Sequence, residues 1–295
     1  MSPLLLSQKI EQINQQESIM ALESGRVLFF PEYFFSSIDP FLMSESILDG
    51  SHKNISYDYV RNKLGGYQKN NTELKSKLEP FMRGYAEFAF QLIQSALPAY
   101  APHVQWGRTS FRPAEIDGRA SSKRKDDTRL HVDSFPASPV NGLRILRIFC
   151  NINPQNKPRV WNIGEPFADV LERFAPQIPP YSLFKAKLLK LVKSTKTLRS
   201  AYDHCMIHLH DTMKLDDQYQ NQVNKTQINF PAQSSWIVFT DHVSHAALSG
   251  QYLLEHTFYL PVDNMDKPEC SPLSQWKTSK PNQFCAQPNK RSHCF

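Results

Sequence analysis

The residues best suited to chemistry are a histidine and an aspartate two positions apart, His131 and Asp133. On an extended strand, residues i and i+2 point to the same face, so the imidazole and the carboxylate can converge on one point. One further histidine would complete a set of two histidines and one carboxylate, which holds Fe(II) and leaves coordination positions open. Taken alone the triplet is short, and a histidine bonded to a neighbouring aspartate is its plainer interpretation.

The third ligand is predicted from a strand-like segment, 235–240, that is followed by two histidines, His242 and His245. In a jelly-roll barrel a late strand returns beside the strand that carries the His-x-Asp pair. His245 is favoured because the two alanines that follow it leave room beside a metal. His242 lies in the predicted turn, where a contact with solvent or substrate is the alternative.

A second group of histidines, His204, His208 and His210, offers a rival metal site. His204 and His208 are four residues apart, so they would share one face of a helix and could bind zinc. Met206 and Leu209 interrupt the same segment as part of a core stripe. We therefore predict a helix that lines the mouth of a substrate site, with His210 as a candidate polar contact.

The elements that must position these residues change in character near residue 101. Residues 1–100 are predicted to form a helical and mixed segment that packs on a barrel. Residues 101–268 are predicted to form the catalytic core, with a helical insertion near 183–219, and residues 269–295 a loose C-terminal arm. The predicted fold is mainly β with flanking helices, a double-stranded β-helix or jelly roll of the cupin type. The strand-like runs are 104–112, 143–152, 160–163, 235–240 and 253–262.

Composition excludes several classes of protein. The chain has 295 residues, of which 40% are hydrophobic and 21% charged, so it can form a real core. Its ten glycines contain no dinucleotide fingerprint, no phosphate-binding loop and no nucleophile elbow. Its five cysteines include no CxxC pair and are expected to be free thiols. Because no membrane-spanning run or export signal is recognisable, we expect a cytoplasmic protein.

Several longer motifs resemble the hydroxylases of 3-deoxy-D-manno-oct-2-ulosonic acid (Kdo), an acidic sugar of lipopolysaccharide. The similarity covers about 105–275. It is carried by residues 109–113, 118–122, 125–136, 144–147, 151–154, 236–246 and 257–261.

The resemblance implies a dioxygenase that uses Fe(II), 2-oxoglutarate and O2. By this resemblance His131, Asp133 and His245 hold the iron, and the reaction is hydroxylation at carbon 3 of Kdo on Kdo-bearing lipid A or a lipopolysaccharide precursor. Two alternatives stay open at this point. One is the same chemistry on another substrate, and the other is a jelly-roll module that binds an anionic sugar without catalysis.

The distal carboxylate of 2-oxoglutarate needs a cation, because a buried carboxylate is costly unless it is paired. Many related dioxygenases have an arginine about ten residues after the distal histidine, but this chain has Glu255 there. The predicted strand 143–152 offers Arg144 and Arg147. Arg144 shares its face with Leu146 and Ile148 and is expected to lie at the end of the core, so we assign the role to Arg147, which shares a face with Asn151. Arg112 is included in the same pocket. The alternative for Arg147 is a surface arginine on an edge strand.

Substrate contacts are predicted beside the His-x-Asp segment, where basic residues are concentrated. Bidentate guanidinium groups suit the carboxylates of Kdo, although a run of this kind is usually a solvated loop. The candidate substrate-binding residues are Arg119, Lys123, Arg124, His242 and His210.

A basic segment, 184–199, contains five lysines, one arginine and no acidic residue, which equals the whole formal surplus of +6. A basic amphipathic helix can lie on an anionic membrane, so peripheral contact with the inner face of the inner membrane is one interpretation. An ordinary lysine-rich solvent face is the other. No nucleic-acid-binding signature accompanies the charge, so nucleic acid is not expected as a partner.

Overall fold

Two packed sheets form the centre of the structure, a computed structural model that describes residues 3–119 and 121–279. The larger sheet has eight strands in the order β1-β2-β9-β6-β11-β5-β3-β4, and the smaller sheet has three in the order β10-β7-β8. The strands are β1 (Leu5–Ser7), β2 (Val27–Phe30), β3 (Ile55–Asp58), β4 (Lys63–Gly65), β5 (Gln105–Arg112), β6 (Arg144–Asn151), β7 (Arg159–Ile163), β8 (Thr226–Phe230), β9 (Ser234–Phe239), β10 (His245–Ser249) and β11 (Leu253–Leu260).

Aromatic rings fill the space between the two sheets. Trp236 on β9 lies edge-on to Trp161 on β7, with ring centroids 5.7 Å apart, and stacks on Phe230 of β8 at 4.0 Å. Phe149 on β6 adds a second stacked contact with Trp236. Buried aromatic side chains remove large apolar areas from water. This core holds the two sheets together, and the predicted jelly roll is confirmed.

The five predicted strands correspond to β5, β6, β7, β9 and β11, with ends shifted by at most two residues. The segment 1–100 does more than pack on the barrel, because it supplies β1 to β4 at the two edges of the larger sheet. β2 pairs with β9 and β3 with β5, and β1 and β4 extend the sheet by pairing with β2 and β3.

Seven helices lie around the sheets in the described part of the chain. Gln220 holds the insertion against the His-x-Asp segment, since its side-chain amide accepts from Leu130 N and donates to Leu130 O, both at 2.9 Å. The helices are α1 (Gln15–Glu23), α2 (Thr72–Ala96), α3 (Phe167–Phe174), α4 (Leu183–Leu191), α5 (Ala201–Leu215), α6 (Asp217–Gln222) and α7 (Pro272–Ser279). No helix among residues 3–119 and 121–279 is long and apolar enough to cross a bilayer.

Part of the predicted C-terminal arm is packed. Residues 272–279 form α7, whose Trp276 is buried against the cluster that contains α3 and α5. The preceding residues are fixed by Glu23, whose carboxylate accepts hydrogen bonds from Asp266 N and Lys267 N at 2.8 Å and from the Tyr100 hydroxyl at 2.6 Å. The remaining residues of the predicted arm, 280–295, lie outside the described residues.

Candidate active site

His131, Asp133 and His245 come together in the structure as the sequence predicts. One potential ligand atom from each lies within 4.8 Å of the others, and all three residues are buried. Among the described residues no other group of three or more His, Cys, Asp or Glu side chains is arranged to hold a metal. Two imidazoles and one carboxylate with space around them fit Fe(II) that retains open positions.

Backbone carbonyls orient both imidazoles. His131 Nδ1 donates to Arg129 O and His245 Nδ1 donates to Val243 O, each at 2.8 Å. Such bonds fix the tautomer and leave Nε2 of each ring free as a ligand atom. Burial lowers the pKa of both histidines, which keeps the rings neutral as metal binding requires.

The His-x-Asp segment is held differently from the predicted strand. His131 forms an isolated bridge with His245, in which His131 N donates to His245 O at 3.0 Å and His245 N to His131 O at 2.9 Å. Asp133 N donates to Thr240 O at 2.7 Å. The two histidines are therefore joined through their backbones, and this bridge sets the spacing of their side chains.

Two arginines and a glutamate extend the charge of the site across the larger sheet. Arg147 Nη1 lies 3.1 Å from Asp133 Oδ2 and 3.8 Å from Glu255 Oε2, while Arg112 Nε lies 3.0 Å from the same Glu255 oxygen. Burial opposes ionisation of Asp133, but attraction to Arg147, together with His245, His131 and a hydrogen bond with Thr240, outweighs burial and lowers the pKa of the carboxyl. Arg147, whose side chain is 12% exposed, is thus a largely buried partner of the metal-ligand carboxylate and not a surface residue.

The same charges continue beyond Arg112. Asp127 Oδ2 lies 3.6 Å from Arg112 Nη1 and 2.6 Å from Lys53 Nζ. Positive and negative groups therefore alternate along one path that ends at the candidate metal ligand. We call this path the ion ladder; its members in order are Lys53, Asp127, Arg112, Glu255, Arg147 and Asp133.

Arg159 and Trp161 also belong to the site, although neither is among the predicted site residues. Arg159 is 3% exposed, donates to Gly250 O at 2.7 Å, and has no carboxylate within ion-pair distance in the described chain. Burial, with the neighbouring Arg112, lowers its pKa to about 9. Trp161 stacks on His245 with ring centroids 5.0 Å apart. Residues 159, 161 and 163 alternate along β7 and all three are buried. An arginine on the same strand face as Trp161 and Ile163 is the sequence signal that could have indicated Arg159 and Trp161.

Asn151 does not join these residues. Its side-chain nitrogen donates to Lys157 O at 3.0 Å and Phe230 O at 3.1 Å, and its oxygen accepts from Asn153 N. The amide is therefore fully used in holding loops at the end of β6. It shares a strand face with Arg147, as predicted, but leaves no group free for a ligand.

The predicted substrate residues are divided between separate places. His210 lies beside the candidate metal site, with its ring centroid 5.3 Å from that of His131. Lys123 pairs with Asp217 at 2.5 Å, a carboxylate that it shares with Arg129, and Arg124 pairs with Asp211 at 3.2 Å, so both cations already have an acidic partner. Arg119 is an exposed loop residue.

His242 lies away from the metal ligands. Its ring packs near Phe167, and its Nε2 is 3.3 Å from Gln275 Nε2 of α7. It lines a separate cavity of about 300 Å³. The preceding residue, Asp241, forms a buried pair with Arg144 at 2.8 Å, which fixes the turn so that His245 faces the site and His242 does not.

A cavity of about 950 Å³ opens beside the site. Its inner wall contains Arg112, Arg147 and Glu255, and its opposite wall is formed by the loop 135–141. The backbone of that loop is fixed by Asp203 at the start of α5, whose carboxylate accepts from Val140 N at 2.8 Å. Such a volume is at the upper end of the roughly 300–1,000 Å³ of small-molecule sites.

Comparisons with known proteins agree with this geometry. A family model described as 3-deoxy-D-manno-oct-2-ulosonic acid (Kdo) hydroxylase matches residues 6–280. A search of curated proteins found no match.

Solved structures described as a Kdo hydroxylase, a non-heme Fe(II) alpha-ketoglutarate (2-oxoglutarate) dependent dioxygenase, are similar over nearly the whole chain. The apo structure is 43% identical, with 97% of this chain and 99% of that chain covered and a TM-score of 0.90. The complex with alpha-ketoglutarate and Fe(III) is 44% identical, covers 93% and 95%, and has a TM-score of 0.88. The complex with succinate and Fe(III) is 42% identical, covers 99% of each chain, and has a TM-score of 0.89. The chain belongs to the Kdo hydroxylase family of non-heme Fe(II), 2-oxoglutarate-dependent dioxygenases.

Proposed function

We propose that the chain hydroxylates carbon 3 of Kdo on a lipid A-bearing precursor of lipopolysaccharide. The observation that carries this proposal is the convergence of His131, Asp133 and His245 beside a cavity whose wall contains Arg147, the ion-pair partner of Asp133. Fe(II) with 2-oxoglutarate and O2 supplies the oxidising chemistry when bound. The protein contributes binding, orientation and a site shielded from water.

We assign the distal carboxylate of 2-oxoglutarate to Arg147 together with Arg112 and Arg159. Nε of Arg147, Nε of Arg159 and Nε1 of Trp161 are buried donors without an acceptor among the described residues. Unpaired buried donors are costly, and a carboxylate that accepts from them removes the cost. Arg112, next to Arg159, adds positive charge, and so this pocket suits an anion although it lacks the usual arginine after the distal histidine.

The reaction itself is tested with purified protein, Fe(II), 2-oxoglutarate and a soluble Kdo glycoside. We expect one succinate for each sugar that gains an oxygen atom in the mass spectrum, with the new hydroxyl at carbon 3 by NMR. Succinate without a change in the sugar would favour a dioxygenase for another substrate. Absence of the visible charge-transfer band of an Fe(II)–2-oxoglutarate complex would favour a non-catalytic sugar-binding module.

We further propose that α4 docks on an anionic membrane that holds the substrate. Phe184, Leu191 and Val192 are 76%, 78% and 60% exposed, a concentration of apolar side chains not expected of a purely solvated helix. Lysines lie between them in the sequence, the combination typical of an interfacial helix. The residues that follow α4, Lys196 and Thr197, line the mouth of the main cavity, so docking here would bring the bilayer next to the site.

Replacing Lys185, Lys187 and Lys190 by glutamine is expected to weaken binding to vesicles with anionic lipid by about 1 kcal/mol per residue. The loss should shrink at high salt because surface charges are screened within about 8 Å at 0.15 M. Vesicle flotation measures binding, and turnover of a soluble Kdo glycoside should be unchanged. Equal losses on vesicles and on the soluble substrate would mean that α4 shapes the cavity instead.

A further inference from the structure

We infer that the mouth of the main cavity contains a second anion subsite, formed by Arg108 and Arg61 on one wall and Lys196 on the other. It would bind a carboxylate or phosphate on the part of the substrate next to the reacting sugar. The inference rests on the proposed function and adds to it a specificity for substrates with a second anionic group.

The first observation is an excess of positive charge at the mouth. Arg108 and Arg61 share one carboxylate, that of Asp58, whose Oδ2 lies 3.9 Å and 3.6 Å from their guanidinium groups. Lys196 makes no ion pair with any described residue. Two positive charges are therefore not balanced by a neighbouring acid. The ladder arginines deeper in the cavity, in contrast, each contact Glu255.

The second observation is where these cations lie relative to the metal ligands. Arg147 contacts Asp133 and pairs in register with Thr257 on β11. Arg108 lies on the next strand, β5, beside the same part of β11. With strands about 4.8 Å apart, the backbone of Arg108 is roughly 10 Å from that of Arg147. A group bound by Arg108 would therefore lie about one sugar unit away from a group bound by Arg147 beside the metal ligands.

The third observation is exposure. The side chains of Arg108 and Arg61 are 46% and 74% exposed, whereas that of Arg147 is 12% exposed. A group bound at the mouth would keep part of its water, so the subsite can accept an anion without the cost of full burial. The cavity volume of about 950 Å³ also leaves space beyond one sugar.

The experiment measures binding by calorimetry in the full chain loaded with Co(II) and 2-oxoglutarate, so that no turnover occurs. Three ligands are compared: the methyl glycoside of Kdo, a Kdo disaccharide with a second carboxylate, and Kdo linked to glucosamine phosphate. We expect the wild type to bind at least one of the two longer ligands about 10-fold more tightly than the methyl glycoside at low salt. Which of them is preferred identifies the second anion as carboxylate or phosphate.

The double variant Arg108→Gln, Lys196→Gln is expected to lose this preference to within about 2-fold and to keep its affinity for the methyl glycoside. The matched control, Lys75→Gln with Arg173→Gln, removes two exposed charges outside the cavity and should keep the preference. Equal affinity of the wild type for all three ligands would overturn the inference. So would an equal loss for all three in the double variant, since the residues would then act on the reacting sugar or on the cavity shape.

Failure of the proposed function gives a different result. In that case the iron-loaded wild type would bind the methyl glycoside without hydroxylating it, while the preference for a second anion and its loss in the variant would persist. Binding of none of the three ligands would remove both the proposed function and the subsite.

Discussion

The His245→Ala protein is expected to lose hydroxylation by more than about 100-fold, which exceeds the effect of losing an outer-shell partner of a metal ligand. Removing the imidazole leaves two protein ligands of three, so both the affinity for metal and the geometry of the site are lost. The fold should persist because the bridge to His131 uses backbone atoms. Co(II) titration followed by visible absorption measures the metal site directly, and succinate release measures turnover.

His242→Ala is the matched control because it removes a histidine three residues away in the same turn. Its ring contacts Gln275 and Phe167 and no candidate ligand. We expect unchanged Co(II) affinity and substantial turnover from this variant. Loss of metal in His242→Ala together with its retention in His245→Ala would contradict the assignment.

Arg147→Ala is expected to raise the KM for 2-oxoglutarate by about 30-fold or more, the equivalent of roughly 2–5 kcal/mol for a buried charge left without its partner. In the free protein the arginine pairs with Asp133 and Glu255, so the variant should also unfold at a lower temperature. Steady-state kinetics at saturating sugar give the KM, and the charge-transfer band gives the affinity for 2-oxoglutarate without turnover.

Arg173→Ala serves as the comparison, since it removes an exposed arginine whose ion pair, with Glu165, lies at the surface and away from the main cavity. Its KM for 2-oxoglutarate should equal that of the wild type. An unchanged KM in Arg147→Ala would transfer the role to Arg159 and Arg112, and the Arg159→Ala protein would then show the larger increase.

The strands and the metal ligands could be predicted from the sequence because each depends on a local pattern. Short, largely apolar runs mark β6 and β11, and the small residues after His245 favour it over His242. The sequence predicts a strand for the His-x-Asp segment, but within it only His131 forms a β-bridge. Asp133 N bonds to Thr240 O, and the side chain of Gln220 bonds both backbone groups of Leu130. That contact joins residues 90 positions apart and has no local signal.

The arginine pocket was only partly predicted for a related reason. A strand pattern shows which residues share a face, so Arg147 could be separated from Arg144, which is fully buried and paired with Asp241. It does not show which side chains meet from other strands. Arg159 and Glu255 contribute to the site through neighbours on β5 and β6, and these neighbours are set by the order of strands in the sheets.

The ion ladder has a consequence for how this site can diverge during evolution. Its six charges sum to zero; Asp133 and Glu255 are buried, and the side chains of Arg112 and Arg147 are only 19% and 12% exposed. Loss of one interior charge leaves a neighbour uncompensated at a cost of about 3–5 kcal/mol, a large part of the roughly 5–15 kcal/mol by which a domain is stable. Loss of an adjacent acid and base together avoids that cost. Natural variants should therefore gain or lose these charges two at a time, so that Arg112 and Glu255 covary even though either alone looks replaceable.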